Sequence, residues 1–265
     1  MSSERGLAGA ASGLKTLVID IGGTGIKAVV LSEAGEPIGE RAQEKTPRPA
    51  LPEAILEVAL TLAHGQPDFD RITVGFPGVV QHGVAQTAPN LDPAWQGFAV
   101  AKSFEEKLGK PTRVANDADI QGFGCIKGKG LEMVITLGTG LGSALFIDGA
   151  LVPNLEFGHH PFQKGQTYEE LLGKAALEKN GKEEWLRLLD QAIVLLRQIF
   201  NFDMLYIGGG NSARLDQDSF PPDVQTVRNI AGLLGGIALW HSTPGASPAG
   251  VSQASGCGEQ LASAE

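Results

Sequence analysis

The sequence predicts an α/β fold of two lobes with a cleft between them. Two stretches carry this reading. "VIDIGGTGIKAVVLS", Val18 to Ser32, ends an apolar run in Asp20, turns through Gly22, Gly23 and Gly25, and begins another apolar run. "VITLGTGLGSALFIDG", Val134 to Gly149, repeats the design. Each half then reads as a β-hairpin, a further strand and a helix, the mark of internal duplication.

Taken in order, strands are expected at Thr16–Ile21 and Ile26–Leu31, and an alternating edge strand over Pro37–Thr46. Pro52–Ala63 has a proline near its start and apolar residues at helical spacing. Arg71–Phe76 is a strand, and "GFPGVV" leads into short strands at Val79–Gln81 and Val84–Thr87. Phe98–Leu108 is a helix stopped by Gly109. Arg113–Ala115 is a strand, and Asp117–Gly124 begins a helix. The second half has strands at Met133–Leu137, Ala144–Ile147 and Ala150–Val152. Glu183–Phe200 is a long helix, apolar on most sides and so expected to be buried. Met204–Ile207 is a strand entering "GGG", Val224–Val227 a short strand, and Asn229–Trp240 a closing helix. The expected organisation is a disordered tail over 1–13, an N-terminal lobe over 14–115 and a C-terminal lobe over 116–228. A helix over 229–240 then packs back on the N-terminal lobe, and the Ser-, Gly-, Ala- and Pro-rich 241–265 is expected to be disordered.

Composition narrows the function. The 265 residues are 42% hydrophobic and 19% charged, an ordinary globular balance. Thirty acidic against 21 basic residues give a net charge of −9, which argues against non-specific nucleic-acid binding. Cys125 and Cys257 form no CxxC pair, so a disulfide framework is not expected. No apolar run approaches the roughly 20 residues of a membrane span, and "MSSERGLAGAASG" lacks a signal-peptide core. The reading is a cytoplasmic protein with no membrane partner.

Successive glycines present backbone N–H groups as an anion nest and let an oxygen approach closely. Gly22, Gly23, Thr24 and Gly25 form one such turn, and Gly138, Thr139 and Gly140 the other. Asp20 reaches the same space. A carboxylate beside phosphate calls for a cation, and Mg²⁺, in part through water, is the usual one. Lys27 can neutralise phosphate directly. The competing readings are plain hairpin turns and a dinucleotide fingerprint, Gly23-x-Gly25-x-x-Ala28. That fingerprint must open a helix, whereas "IKAVVLS" is strand-like. No Walker A pattern is present. Two phosphate turns and a carboxylate point to phosphoryl transfer across the cleft.

On the acceptor side, "VANDADIQG" places Asn116 and Asp117 where a strand enters a helix. A sugar hydroxyl loses its proton as it attacks phosphorus, and Asp117 is the candidate acceptor. The alternative is that Asn116 or Asp117 is only a helix N-cap. Asp119 reads as compensation of the helix dipole. "NLEFGHH" offers Glu156 and His159 as an acceptor and donor for vicinal hydroxyls. The histidines also read as loop residues or metal ligands, though no cysteine lies near to complete a zinc site. Glu169 reads as part of a sugar pocket or as an exposed helix-start residue.

"DIGGTGIK", "FPGVV", "ANDAD", "TLGTGLGSALFIDG", "EFGH" and "IGGG" together resemble the sugar kinases of the ROK group, in the hexokinase–actin–heat-shock-protein ATPase superfamily. "KTPRP" at 45–49 and "AQTAPNLDPAW" at 85–95 are similar to its polyphosphate glucokinase branch. The resemblance implies an actin-like ATPase (ribonuclease H-like) fold closing on a hexose, usually glucose phosphorylated at its 6-hydroxyl. It makes Asp117 the general base, with Asn116, Glu156, His159 and Glu169 on the sugar. Asp20, Gly23, Thr24, Lys27, Gly138, Thr139 and Gly140 then surround the donor phosphates and metal, and Gly208, Gly209 and Gly210 correspond to the segment beside a nucleotide. It also implies Mg²⁺, polyphosphate and/or ATP as donor, and a homodimer. The chain departs from many ROK proteins in lacking a cysteine-rich zinc motif after "GH", so no zinc is expected. The short stretch before the first strand leaves no room for the repressors' helix-turn-helix. A strictly ATP-dependent ROK kinase of another hexose and a non-catalytic sugar-binding regulator remain the alternatives. A polyphosphate chain would need a basic path, for which Arg41, Lys45, Arg48, Lys127, Lys129 and Lys164 are candidates.

Overall fold

The computed structural model describes residues 13–227 and 231–241. The tails expected over 1–13 and 241–265 lie outside the described residues, save Gly13 and His241.

The first half runs β1 (Thr16–Ile21), β2 (Gly25–Leu31), β3 (Ala42–Lys45), α1 (Pro52–His64), β4 (Arg71–Phe76), β5 (Val80–Gln81), β6 (Val84–Ala85), α2 (Val100–Leu108) and β7 (Thr112–Asn116). Next come α3 (Asp117–Phe123), β8 (Leu131–Leu137), β9 (Leu141–Ile147), β10 (Ala150–Val152), β11 (Pro161–Gln163) and β12 (Gln166–Thr167). The chain ends in α4 (Tyr168–Leu172), α5 (Lys174–Asn180), α6 (Lys182–Phe200), β13 (Met204–Gly208), β14 (Val224–Thr226) and α7 (Ala231–His241).

Two five-stranded sheets share one topology, β3-β2-β1-β4-β7 and β10-β9-β8-β13-β14. In each, an antiparallel hairpin pair is followed by parallel strands. The duplication expected from the two glycine runs is therefore a duplication of sheets, with each glycine turn joining equivalent strands. The first turn closes with Gly22 N–H donating to Gly25 O at 2.9 Å, the second with Gly138 N–H donating to Gly140 O at 3.0 Å. Their strands are fully buried in the middle and apolar, as sheets covered by helices require.

Each sheet carries its own core. Trp95 and Phe104 sit under the first with α1, and Trp185, Leu172 and Leu189 under the second. Helix α7 packs back on the first sheet, with Ile237 against Val18, Val29 and Leu31. It also packs on α3, and its approach is so close that a Cβ on Gly235 would lie 1.6 Å from Ile120 O. Thr73 Oγ1 donates to Gly236 O and accepts from Trp240 Nε1, and the Arg71 and Arg113 guanidinium groups lie 5.0 and 4.7 Å from the centre of the Trp240 ring.

Two expectations change, and elements appear where none was expected. The edge strand expected over 37–46 is confined to Ala42–Lys45. The chain turns at 32–36, and the Gln66 side chain inserts beyond it, accepting from Val30 N and donating to Glu40 O. That amide takes the place of ladder bonds. Helix α6 is not buried all round. Trp185, Leu188, Leu189, Ala192, Ile193 and Leu196 face the core, while Val194 and Ile199 are about half exposed at 54% and 53%. Its opposite face has no layer above it among the described residues. The β11–β12 hairpin and α5 carry no strong apolar period and lie outside the expected elements, whereas α4 has Glu169 in its first turn, as the helix-start reading expects. A capping box, Thr167 with Glu170, starts α4.

The closeness of α7 to α3 gives a test. Gly235→Ala is expected to cost about 1–3 kcal/mol by overpacking, seen as a lower urea midpoint. Gly210→Ala, whose Cβ meets nothing within 4 Å, is expected to leave the midpoint unchanged.

Candidate active site

Strands of parallel sheets present their carboxyl ends to a common edge, where ligands bind in open α/β folds. Here those ends converge on one cavity of about 370 Å³. Asp20 with Gly22, Gly23, Thr24 and Lys27 enters from the β1–β2 hairpin, and Gly138, Thr139 and Gly140 from β8–β9. Asn116 and Asp117 enter from β7 and α3, Gly209 and Gly210 from the end of β13, Glu156 and His159 from the segment after β10, and Glu169 from α4. Gly25 and Gly208 do not line the cavity. They are strand residues, where added Cβ atoms would meet Glu44 O and Val227 respectively.

Asp20 and Lys27 are direct cross-strand partners, so their side chains share a face, with Lys27 Nζ 3.1 Å from Asp20 Oδ2. The first turn is held from behind by the "KTPRP" segment. Thr46 Oγ1 donates to Gly22 O at 2.6 Å, and Arg48 donates to Gly23 O at 2.7 Å. Asn90 covers the same turn, its Cβ 3.2 Å from where a Gly23 Cβ would stand. Trp95 ties the two segments together by donating to Ala50 O at 2.9 Å. Thus both polyphosphate-like motifs pack around one glycine turn.

Asn116 is the N-cap of α3: its Oδ1 accepts from Ala118 N at 2.7 Å. Its amide nitrogen donates to Gly78 O and to Glu156 Oε1, both at 3.2 Å. The cap reading therefore belongs to Asn116, whose amide is committed to protein groups. Asp117, the first helical residue, is left to face the cavity. Burial, and then the nearby Asp20, push its carboxyl up to about 7. Asp119 is not a surface dipole-compensating charge. It is 2% exposed, and burial pushes it up to about 8, so near neutral pH it is mostly the uncharged acid.

Glu156 Oε2 lies 3.5 Å from His159 Nε2, which joins them as an acceptor–donor pair. Burial raises the Glu156 carboxyl. Glu169 is neither free nor merely at a helix start: its Oε2 accepts from Leu141 N at 3.1 Å. The same oxygen would be 2.1 Å from a Cβ on Gly140. The carboxylate thus braces the second glycine turn while lining the cavity.

Of the six basic candidates only Arg41 and Arg48 line the cavity. The loop bearing Lys127 and Lys129 is folded over the buried Glu132, which accepts from the backbone N–H groups of Lys127, Gly128 and Lys129. Sequence reasoning did not single out Thr136, Gln121 or Asn90. Thr136 occupies in β8 the place that Asp20 has in β1, a signal available from aligning the two hairpins. Gln121 follows Asp117 by one helical turn. Among the described residues no group of three or more His, Cys, Asp or Glu gathers as a metal site. No described helix is long and apolar enough to cross a membrane.

Two results are expected. Asp117→Asn is expected to lower turnover by a factor on the order of 10² or more, with the fold kept. In the parent, log kcat/KM is expected to rise with pH and level off above about 7, because the carboxyl must lose its proton to act as base. The variant is expected to lose that limb. Gly140→Ala is expected to push Glu169 off Leu141 N and lower kcat/KM by a factor on the order of 10², as misplacement of positioning groups does. Steady-state kinetics and circular dichroism check both.

The comparisons with known proteins agree with this geometry. The model of the ROK family matches residues 16–168. The chain is 33% identical over 233 residues to a polyphosphate glucokinase of Mycobacterium tuberculosis (strain H37Rv), covering 82% of this chain and 88% of that protein. It is 36% identical to the inorganic polyphosphate/ATP-glucomannokinase of Arthrobacter sp. strain KM, which superposes with a TM-score of 0.76 over 86% of this chain and 100% of that one. A ROK family glucokinase from Streptomyces griseus, solved with glucose and AMPPNP, shares the fold at 22% identity with a TM-score of 0.72, over 85% and 98% of the two chains. The duplicated sheets, the paired glycine turns and these matches agree: the chain belongs to the ROK family.

Proposed function

We propose that this protein is a hexose kinase that transfers a phosphoryl group from polyphosphate and/or ATP to the 6-hydroxyl of glucose, with Asp117 as general base. The observation that carries the reading is the placement of Asp117 in one cavity with both glycine turns and with Glu156 and His159. A phosphate needs N–H donors and positive charge, the acceptor hydroxyl needs a base, and the remaining sugar hydroxyls need paired donors and acceptors. Each requirement has residues of the right chemistry.

In this reading the hexose lies across Glu156, His159 and Glu169 with its 6-hydroxyl on Asp117. The oxygen attacks the terminal phosphorus, the bond to the leaving phosphate breaks, and the hydroxyl proton passes to Asp117. The backbone N–H groups of both turns hold the phosphoryl oxygens, and Lys27 balances their charge. Asn116 fixes the first turn of α3 and so the direction of Asp117. With only Asp20 at the donor end and no ready three-ligand cluster among the described residues, a Mg²⁺ would be held mainly by donor phosphate oxygens and water beside Asp20, neutralising charge there.

The donor is read from the segments around the first turn and from the relatives. The Mycobacterium tuberculosis relative is named a polyphosphate glucokinase, and the Arthrobacter one uses polyphosphate and ATP by its name. Arg48 and Arg41 begin a basic wall at that end of the cavity. A homodimer, as the resemblance implies, is part of the same proposal.

Glucose 6-phosphate is expected from glucose with either polyphosphate or ATP, measured with each donor alone. Formation from neither would remove the reading, and formation from ATP alone would make the protein an ATP glucokinase. Polyphosphate-driven turnover is expected to fall faster with added salt, since a charged chain along exposed arginines is screened. Arg48→Ala is expected to raise the polyphosphate KM about tenfold, the scale of one lost charge-assisted contact, while calorimetry shows glucose binding unchanged.

A further inference from the structure

The segment that carries Glu156 is tied to two parts of the fold. On one side it is seated on β9. Ser143 Oγ donates to Leu155 O at 2.6 Å and accepts from Phe157 N at 3.0 Å, and a Cβ on Gly158 would lie 2.2 Å from Leu141 O. On the other side it reaches the turn between β4 and β5. Asn116 bridges Gly78 O and Glu156 Oε1 there. Asn154 makes a second tie, two residues away on each segment: its Oδ1 accepts from Val80 N at 3.2 Å.

Position 154 makes three demands. Its backbone is left-handed, with φ at 63°, a conformation that glycine, asparagine and aspartate adopt most readily. Its side chain must offer an acceptor to Val80 N, which removes glycine. It must also be uncharged. The Asn154 backbone N–H faces the carboxyl of Asp119, and burial has already raised both that group and Glu156. A third carboxylate beside them would be repelled, which removes aspartate. Asparagine meets all three demands. Asn154 does not itself line the cavity, whereas Gly78 and Glu156, on the two segments it joins, do.

We propose that Asn154 is a positioning residue for the acceptor site: its side chain holds the Glu156 segment against the start of β5 and so fixes where Glu156 and His159 meet the sugar. The inference rests on the hexose-kinase reading and adds to it a residue that stands off the cavity. In that reading Glu156 and His159 contact hydroxyls that do not react, so they hold the sugar alike before and during transfer. Loosening them raises the glucose KM and spares kcat. The first glycine turn is held separately, by Thr46 and Arg48, so the donor KM is not moved.

The test is Asn154→Gly, which keeps the left-handed backbone and removes the tie, with Asn154→Ala beside it. In both, the glucose KM and the calorimetric glucose Kd are expected to rise about tenfold, the scale of one lost hydrogen bond with the misplacement it prevents. With one donor throughout, kcat and the donor KM are expected to stay within about twofold, which also shows that the variants are folded. A glycine variant that binds glucose as the parent does, with only the alanine variant impaired, makes position 154 a matter of backbone conformation and overturns the proposal. A donor KM that rises in step with the glucose KM means general loosening and also overturns it. Either result leaves the hexose-kinase reading standing. A parent protein that forms no glucose 6-phosphate removes that reading, and the positioning role with it.

Discussion

The start of α3 is the constraint on which the site depends. A helix N-terminus leaves N–H groups that need an acceptor. Asn116 supplies it from its side-chain oxygen, and its amide nitrogen reaches Gly78 on one side and Glu156 on the other. One side chain therefore caps the helix, anchors the turn after β4 and orients the loop that bears Glu156. Because the cap is Asn116, Asp117 has no such work and faces the cavity. The other end of the constraint is α7, whose glycines let its backbone close onto α3. A residue far along the chain in this way holds Asp117 in place.

The same crowding sets the electrostatics. Asp20, Asp117 and Glu156 share one cavity, with Asp119 buried just behind Asp117. Such a group of carboxylates cannot all be charged at low cost. Burial and mutual repulsion raise Asp117, Asp119 and Glu156, while Asp20 is paired with Lys27. Asp119 Oδ1 has no hydrogen-bond partner, which a neutral acid tolerates better than a carboxylate. The result is a carboxyl at Asp117 raised to about 7 beside one at Asp119 raised to about 8, produced by position rather than by residue type.

Glu169 and Arg48 brace the two glycine turns in the same way. Glu169 holds the second glycine turn through Leu141 N, and Arg48 holds the first through Gly23 O. Both also line the cavity. Each glycine turn is thus stiffened by a side chain that stands within reach of a ligand, so the turns are preorganised without any bulk on their inner face.

Much of the fold was legible in local chemistry. Alternating or continuous apolar runs marked the central strands, and the glycine turns marked equivalent hairpins, because periodicity and turn preference reside in neighbouring residues. The pairing of Asp20 with Lys27 also follows from a hairpin of known register. What local pattern does not carry is which distant groups meet. Gln66 cuts short the edge strand beyond β2, and Glu132 folds the Lys127–Lys129 loop away from the cavity. Asp119 becomes a buried acid because α3 is packed from several elements at once. The choice between Asn116 and Asp117 as cap was open in the sequence, since both residue types cap helices well. It was resolved by Gly78 and Glu156, which lie 38 and 40 residues from Asn116 and draw its amide into place. Strand, turn and helix came from short-range preference; protonation, capping and access came from contacts that exist only once the two sheets and α7 have closed around α3.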